Sequence, residues 1–230
     1  MSNYVYGKNS FYEALNSSRI IKAYLLNRDI EDELKKKKIP FEIVDRKTLD
    51  KMSKSGNHQG YLAEVKEFKM AKVDDMIVKN NGFIVVLDGL QDVHNLGAII
   101  RTCDCAGVDG IIYKSHNSVK VNDTVAKVAC GALEYVKVAE VTNLVNTLKD
   151  LKKKGYWVIG TDASAKDLYT DIKYDMNVVL IIGSEGEGMS RLVKEECDFM
   201  IKLPMNGHVT SLNASVAAGI MIYNVINARR

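Results

Sequence analysis

The sequence predicts an α/β protein in two parts, a small mixed unit followed by a longer Rossmann-like unit built on a parallel sheet. Three observations predict it. Short apolar runs alternate with helix-like segments along the whole chain. The runs Trp157–Gly160 and Val178–Ile182 are continuously apolar, as parallel strands covered on both faces are, and Phe83–Leu87 is a buried-type strand too. The composition, 47% hydrophobic and 27% charged over 230 residues with two prolines, suits a globular chain with a substantial core.

The first part reads as a compact alternation. Asn3–Gly7 is a short strand, and Asn9 is placed to cap a helix running to about Asn16. Lys22–Leu26 is the next strand and Ile30–Lys38 a helix, stopped by Pro40. Phe41–Val44 is extended, Thr48–Met52 a helical turn, Ser53–Asn57 a polar loop and Gly60–Val65 a strand. Residues 67–78 read as a linker running into a new helix.

The second part is a longer series. Its expected strands are Phe83–Leu87, Gly110–Tyr113, Val136–Val138, Trp157–Gly160, Val178–Ile182 and Met200–Leu203. Its expected helices are Leu96–Ala106, Asp123–Cys130, Asn143–Lys153, Ser190–Glu196 and the long apolar Leu212–Asn227. No internal repeat interrupts it.

The net charge is +3, unevenly placed. Residues 1–72 hold 15 basic and 10 acidic side chains, and the remainder holds 17 and 19. A basic first third suits a phosphate backbone as partner, although Lys35–Lys38 also suits a solvated helix end. No apolar stretch reaches the length of a membrane span, the first residues carry no apolar signal core, and four cysteines form no disulfide pattern. These features predict a cytoplasmic protein. The four histidines do not cluster, and with Cys103 and Cys105 they form no metal-binding spacing, so no metal is expected.

Three polar motifs stand where expected strands end, which is where open α/β sheets collect ligands. Gly183-Ser-Glu185-Gly186-Glu-Gly188 follows Val178–Ile182; it is neither a phosphate-cradling Gly-Lys-Ser/Thr loop nor GxGxxG. Its glycines permit close approach of the backbone to a ligand, and Glu185 suits a donor-rich partner. The plainer reading is a tight turn with Glu185 at a helix start. Asn95-Leu-Gly97-Ala-Ile-Ile-Arg101-Thr102 follows the strand ending in Asp88-Gly89. Asn95 is placed to cap the helix. Arg101 is expected on a mostly buried helix, where it needs an anion or a structural ion pair. Pro204-Met205 is followed by Ser211-Leu212-Asn213-Ala-Ser215, which opens the last helix with Ser211 or Thr210 as cap. Leu203, Met205 and Leu212 offer apolar walls for a flat base, or are ordinary core.

Together, in order and spacing, these motifs resemble the three signature motifs of the SpoU (TrmH) family of RNA ribose 2′-O-methyltransferases. Tyr4-Val-Tyr6-Gly7-Lys-Asn and His58-Gln59-Gly60 resemble the substrate-binding domain that precedes the catalytic domain in one branch. The resemblance implies an L30e/L7Ae-like RNA-binding domain over residues 1–70, a linker over 71–82, and over 83–230 a SPOUT domain with a deep trefoil knot. It implies S-adenosylmethionine (AdoMet) as cofactor, RNA as partner and a homodimer. The branch is closest to enzymes acting on a guanosine of bacterial large-subunit (23S) rRNA. A tRNA or other rRNA ribose methyltransferase, or a non-catalytic RNA-binding or ribosome-assembly protein on the same two domains, are the alternatives. The implied catalytic residues are Arg101, Asn95, Glu185, Ser211 and Asn213. Gly183, Leu203, Leu212, Met205 and Thr161 match cofactor-holding positions.

Overall fold

A computed structural model describes residues 3–54, 57–66 and 68–230, which form two compact units. One comprises the chain up to Lys69 together with Asn122–Glu134; the other comprises Met70–Val121 and Tyr135–Arg230.

The first unit is built on strands β1 (Asn3–Tyr6), β2 (Ile20–Leu25), β3 (Phe41–Ile43) and β4 (Tyr61–Val65), in the order β1-β4-β2-β3. β4 pairs antiparallel with β1 and β2, and β3 runs parallel to β2. Helices α1 (Lys8–Asn16), α2 (Glu31–Lys36) and α3 (Arg46–Ser53) complete it. Phe11, Leu15, Leu25 and Leu34 are fully enclosed against Ala23 and Ala63. Gly7, at φ 90°, stands at the start of α1, so Asn9 lies inside the helix and is not its cap. Asp45 caps α3 by accepting from Thr48 N at 2.8 Å, which lengthens the expected turn into a helix. The expected loop Ser53–Asn57 falls partly outside the described residues. α5 (Asp123–Ala129), capped by Asn122, belongs to this unit, where Arg19 pairs with Glu134.

The second unit holds seven parallel strands in the order β7-β6-β5-β10-β8-β11-β9. They are β5 (Phe83–Asp88), β6 (Gly110–Lys114), β7 (Val138–Val141), β8 (Tyr156–Thr161), β9 (Asp167–Leu168), β10 (Asn177–Gly183) and β11 (Phe199–Lys202). The half β7-β6-β5 follows Rossmann order. The other half does not: β10 stands between β5 and β8, and β11 lies beyond β8. Every residue of β5 is buried, as its continuous apolar run requires. The same reading fails at β8, where Trp157 is 47% exposed and packs its ring on Phe199. β9, two residues long, has no apolar signal to announce it.

Four helices fill the connections: α4 (Val93–Ala106), α6 (Leu144–Lys153), the single turn α7 (Arg191–Lys194) and α8 (Ala214–Ala228). The helix expected after the linker is only a 3₁₀ turn at Val73–Met76. α6, α7 and that turn enclose one core with Ile84, Val86, Val158 and Ile181; α4 and α8 pack together elsewhere. α4 begins earlier than expected, because Asp92 rather than Asn95 caps it by accepting from His94 N at 2.9 Å.

The last turn of the chain is tied down by Arg229. Its guanidinium donates to the carbonyls of Asn81, Gly82 and Met176 at 2.7–3.1 Å, and its Nε donates to Tyr174 O at 3.0 Å. The group also lies 5.4 Å from the Phe83 ring centroid. One planar fork therefore satisfies carbonyls that precede both β5 and β10. Arg229→Lys keeps the charge but loses the fork. It is expected to cost about 2 kcal/mol, the worth of one or two charge-assisted hydrogen bonds. A lower urea midpoint with an unchanged slope would register it.

Candidate active site

Because the large sheet is parallel, β5, β6, β8, β10 and β11 all end on one edge. All three motifs emerge there. The shift of the α4 cap to Asp92 places Asn95 within the first turn, buried, with its side chain spare. That side chain donates from Nδ2 to Glu185 Oε1 at 2.5 Å. Glu185 lies in the loop that follows β10, closed by paired backbone bonds between Ser184 and Gly188 at 3.0 and 3.1 Å. Gly183 is obligatory at this closure, since a Cβ there would sit 2.5 Å from Met189 N and collide with Gly188.

The third motif reaches the same oxygen. Asn213 Nδ2 and Ala214 N approach Glu185 Oε1 at 3.4 and 3.5 Å. Asn213, not Ser211 or Thr210, caps α8; its Oδ1 accepts from Ser215 N at 3.0 Å, Val216 N at 3.3 Å and Ser215 Oγ at 2.6 Å. One amide thus fixes the helix start with its oxygen and approaches the carboxylate with its nitrogen.

Beside this node opens a cleft of about 350 Å³ lined by Thr161, Gly183, Glu185, Ser211, Leu212 and Asn213. It continues into a smaller, mainly apolar recess with Leu203, Met205, Ala217 and Met221. Between Leu203 and Leu212 the main chain makes no backbone–backbone hydrogen bond among the described residues. Its donors and acceptors are left for a ligand or water. Apolar walls with uncommitted main chain fit a flat, hydrogen-bonding group such as a purine. Thr161 turns its hydroxyl away, donating to Ile181 O at 2.9 Å, so the methyl and main chain are what it can offer.

The structure therefore places eight of the ten expected residues in the linings of two adjoining clefts and sets a ninth, Asn95, against Glu185. Arg101 is the exception. It is exposed on α4, not enclosed as expected, and lies outside the linings of both clefts. The apolar residues before it, Ile99 and Ile100, are buried; the helix turns the arginine to its outer face. Among the described residues no three His, Cys, Asp or Glu side chains converge as a metal site would, and no helix is long and apolar enough to cross a membrane.

The sequence reading missed Asp162. It lines the recess immediately after β8, accepting from Ser164 N at 2.8 Å and Ser164 Oγ at 2.6 Å while pairing with Lys194 at 2.5 Å. Asp-x-Ser after an apolar run is the signal that could have found this turn. Lys194 first, then Ser164, hold its carboxyl down to about 2.

These elements define a methyltransferase fold. Residues 82–223 match the SpoU rRNA methylase family, and residues 4–71 match the RNA 2′-O ribose methyltransferase substrate-binding family. A protein of Bacillus subtilis (strain 168), named for the TrmH family of tRNA/rRNA methyltransferases, is 45% identical over 240 residues, covering 99% of this chain and 96% of its own. The chain belongs to the SpoU (TrmH) methyltransferase family. The fold is also that of the SpoU methyltransferase AviRb of Streptomyces viridochromogenes in complex with AdoMet (TM-score 0.85, 21% identity, 98% of this chain and 90% of that one). An AdoMet-bound rRNA methyltransferase of Sinorhizobium meliloti shares it (TM-score 0.86, 22% identity, 97% and 86%).

The Asp162–Lys194 pair has a pH signature. Its carboxyl is depressed in the folded chain relative to the ordinary value near 4, so unfolding takes up a proton at low pH. The stability it contributes is full above about pH 4 to 5 and is lost as pH falls toward 2. Unfolding free energies of the wild type and Asp162→Asn are expected to differ by a constant amount above pH 5 and to converge as pH approaches 2.

Proposed function

We propose that the protein transfers a methyl group from AdoMet to a ribose 2′-hydroxyl of RNA, and that its target is a guanosine of large-subunit (23S) rRNA. The observation that carries the reading is the Glu185 node: Asn95 and Asn213, from two separate motifs, meet its carboxylate beside an apolar cleft. The matched substrate-binding family and the basic first third support an RNA partner. We assign residues 1–70 to RNA binding, 71–82 to a linker and 83–230 to chemistry.

AdoMet, when bound, supplies a methyl group on a sulfonium, which needs no metal to leave. The chain must hold the acceptor in line and manage a weakly acidic hydroxyl. Leu203, Met205 and Leu212 would enclose the adenine and exclude water, and main chain from Gly183 and the Leu203–Leu212 segment would offer it hydrogen bonds. Thr161 closes the wall. Asn95 and Asn213 hold Oε1 of Glu185, which leaves Oε2 to accept from the ribose hydroxyl and orient it. Ser211, which lines both clefts, would bind the same ribose. Arg101, permanently charged, does not serve as a base. It holds an RNA phosphate and stabilises the developing alkoxide.

Arg101 stands outside its own chain's clefts, so this role requires a second protomer. α8 supports a homodimer: Val216, Ile220 and Tyr223, at helical spacing on one face, are 50%, 39% and 44% exposed. Arg101 then completes the partner's site. Arg101→Ala is expected to leave the melting temperature and AdoMet affinity near wild type and to cut transfer by about 10²–10³-fold, the cost of losing a transition-state donor. Arg101→Lys restores little, lacking the planar fork. Co-assembled Arg101→Ala and Asn213→Ala chains regain activity only if the two residues act across the dimer. Normal turnover in folded Arg101→Ala removes the residue from the mechanism.

The target is tested by nucleotide-resolution mapping of 2′-O-methylation in rRNA and tRNA from cells with and without the gene. Loss of one 23S guanosine methylation is expected. Loss of a tRNA methylation instead places the enzyme in the tRNA branch. No lost methylation, with no AdoMet binding by calorimetry, leaves an RNA-binding protein without chemistry.

A further inference from the structure

A second cleft, of about 570 Å³, opens on the other side of the loop that carries Glu185. It shares Ser184, Glu185 and Gly188 with the first, so that loop is a partition between the two. Its floor is the end of β5, Asp88-Gly89, where Gly89 (φ 80°) leaves the strand without a side chain. Asp88 is buried and accepts from Ser190 N at 2.7 Å, which holds floor and loop together. The far rim is tied to the floor by Val119 N to Leu90 O at 2.8 Å, Ser118 Oγ to Leu90 O at 3.1 Å and Gln91 Nε2 to Asn117 O at 2.9 Å. Both sides are held by bonds within the same unit, so the cleft is preformed.

We propose that this cleft takes the base of the acceptor nucleotide and selects guanine. The inference rests on the reading of the protein as an RNA 2′-O-methyltransferase and deepens it. Opposite sides of the cleft differ in chemistry. The partition loop contributes the carboxylate of Glu187, and the end of β6 contributes the ammonium of Lys114. Neither forms a salt bridge among the described residues. β6 and β10 flank β5, so their ends are separated by two strand spacings, about 10 Å. A base lying between them meets an acceptor at one edge and a cation at the other. Guanine alone among the four RNA bases presents two adjacent donors, N1–H and the 2-amino group, with acceptors O6 and N7 along the adjoining edge. A carboxylate facing adenine or cytosine would meet a ring nitrogen lone pair beside the one amino group, and a carboxylate facing uracil would find a single donor. Gln91, which gives one of its two Nε2 hydrogens to Asn117 O, keeps Oε1 as a further acceptor. The base on one side of the partition and the methyl donor on the other place the ribose at Glu185, where the two clefts share a wall.

The test uses the full-length protein and synthetic RNA containing the mapped target nucleotide, with guanosine, inosine or adenosine at that position. Inosine removes only the 2-amino group. For the wild type, kcat/KM is expected to fall at least tenfold from guanosine to inosine and further to adenosine. Glu187→Gln is expected to lower transfer to guanosine while shrinking the guanosine-to-inosine ratio to within about twofold. Lys114→Met is expected to weaken transfer to guanosine and to inosine alike, since both keep O6. AdoMet affinity, measured on the same preparations, is expected to stay within twofold, because neither residue lines the first cleft. Transfer that proceeds equally well to all three bases, or an undiminished preference for guanosine in Glu187→Gln, overturns the base assignment and leaves the methyltransferase reading standing. Bound AdoMet with no transfer to any RNA removes that reading, and this one with it.

Discussion

One carboxylate oxygen organises the candidate site. Glu185 Oε1 faces Asn95 Nδ2 from α4, Asn213 Nδ2 and Ala214 N from the start of α8. These come from segments 90 and 28 residues away, so the contact exists only when the sheet is complete. The arrangement also explains why the three donors are amides. An amide side chain can place nitrogen on the carboxylate and keep its oxygen for another duty, as Asn213 does in capping α8. A lysine or arginine in either place would pair with Glu185 as an ion; two neutral amides hold one of its oxygens without adding a charge.

The node in turn depends on the parallel sheet. With all seven strands running one way, every strand end that carries a motif points to the same edge. The interleaved half of the sheet, with β10 between β5 and β8, sets the loop of Glu185 between the ends of its two neighbours. A loop in that position has a face toward β8 and β11 and a face toward β5 and β6, and each face borders a cleft. Simple Rossmann order would put β8 beside β5 and give the loop no such partition role. The tight closure at Gly183 and Gly188 keeps the wall thin.

Much of this was legible in residue pattern. The continuously apolar runs of β5 and β10 announced buried parallel strands, and both strands are buried. The positions of glycine, asparagine and glutamate after those strands announced a site. Caps were legible in kind but not in place: Asn9 and Asn95 lie inside helices, and Asp45, Asp92 and Asn213 do the capping. Several short polar residues near a helix start compete for that role, and local propensity does not rank them. The expected burial of Arg101 failed for a related reason. Buried neighbours at positions 99 and 100 say little about position 101, because each residue turns the helix by about 100°.

Residue pattern was enough to determine the fold class, the parallel character of the central strands and most of the residues that meet at the sheet edge. Those follow from hydrophobic periodicity and from residue types whose backbone and hydrogen-bonding capacities are local properties. The tertiary structure alone decided the strand order, the transfer of Asn122–Glu134 to the first unit, the outward turn of Arg101 and the division of the edge into two clefts. Those depend on which strand lies beside which. That choice is made by long-range packing between apolar faces that look alike in sequence, so no local pattern records it.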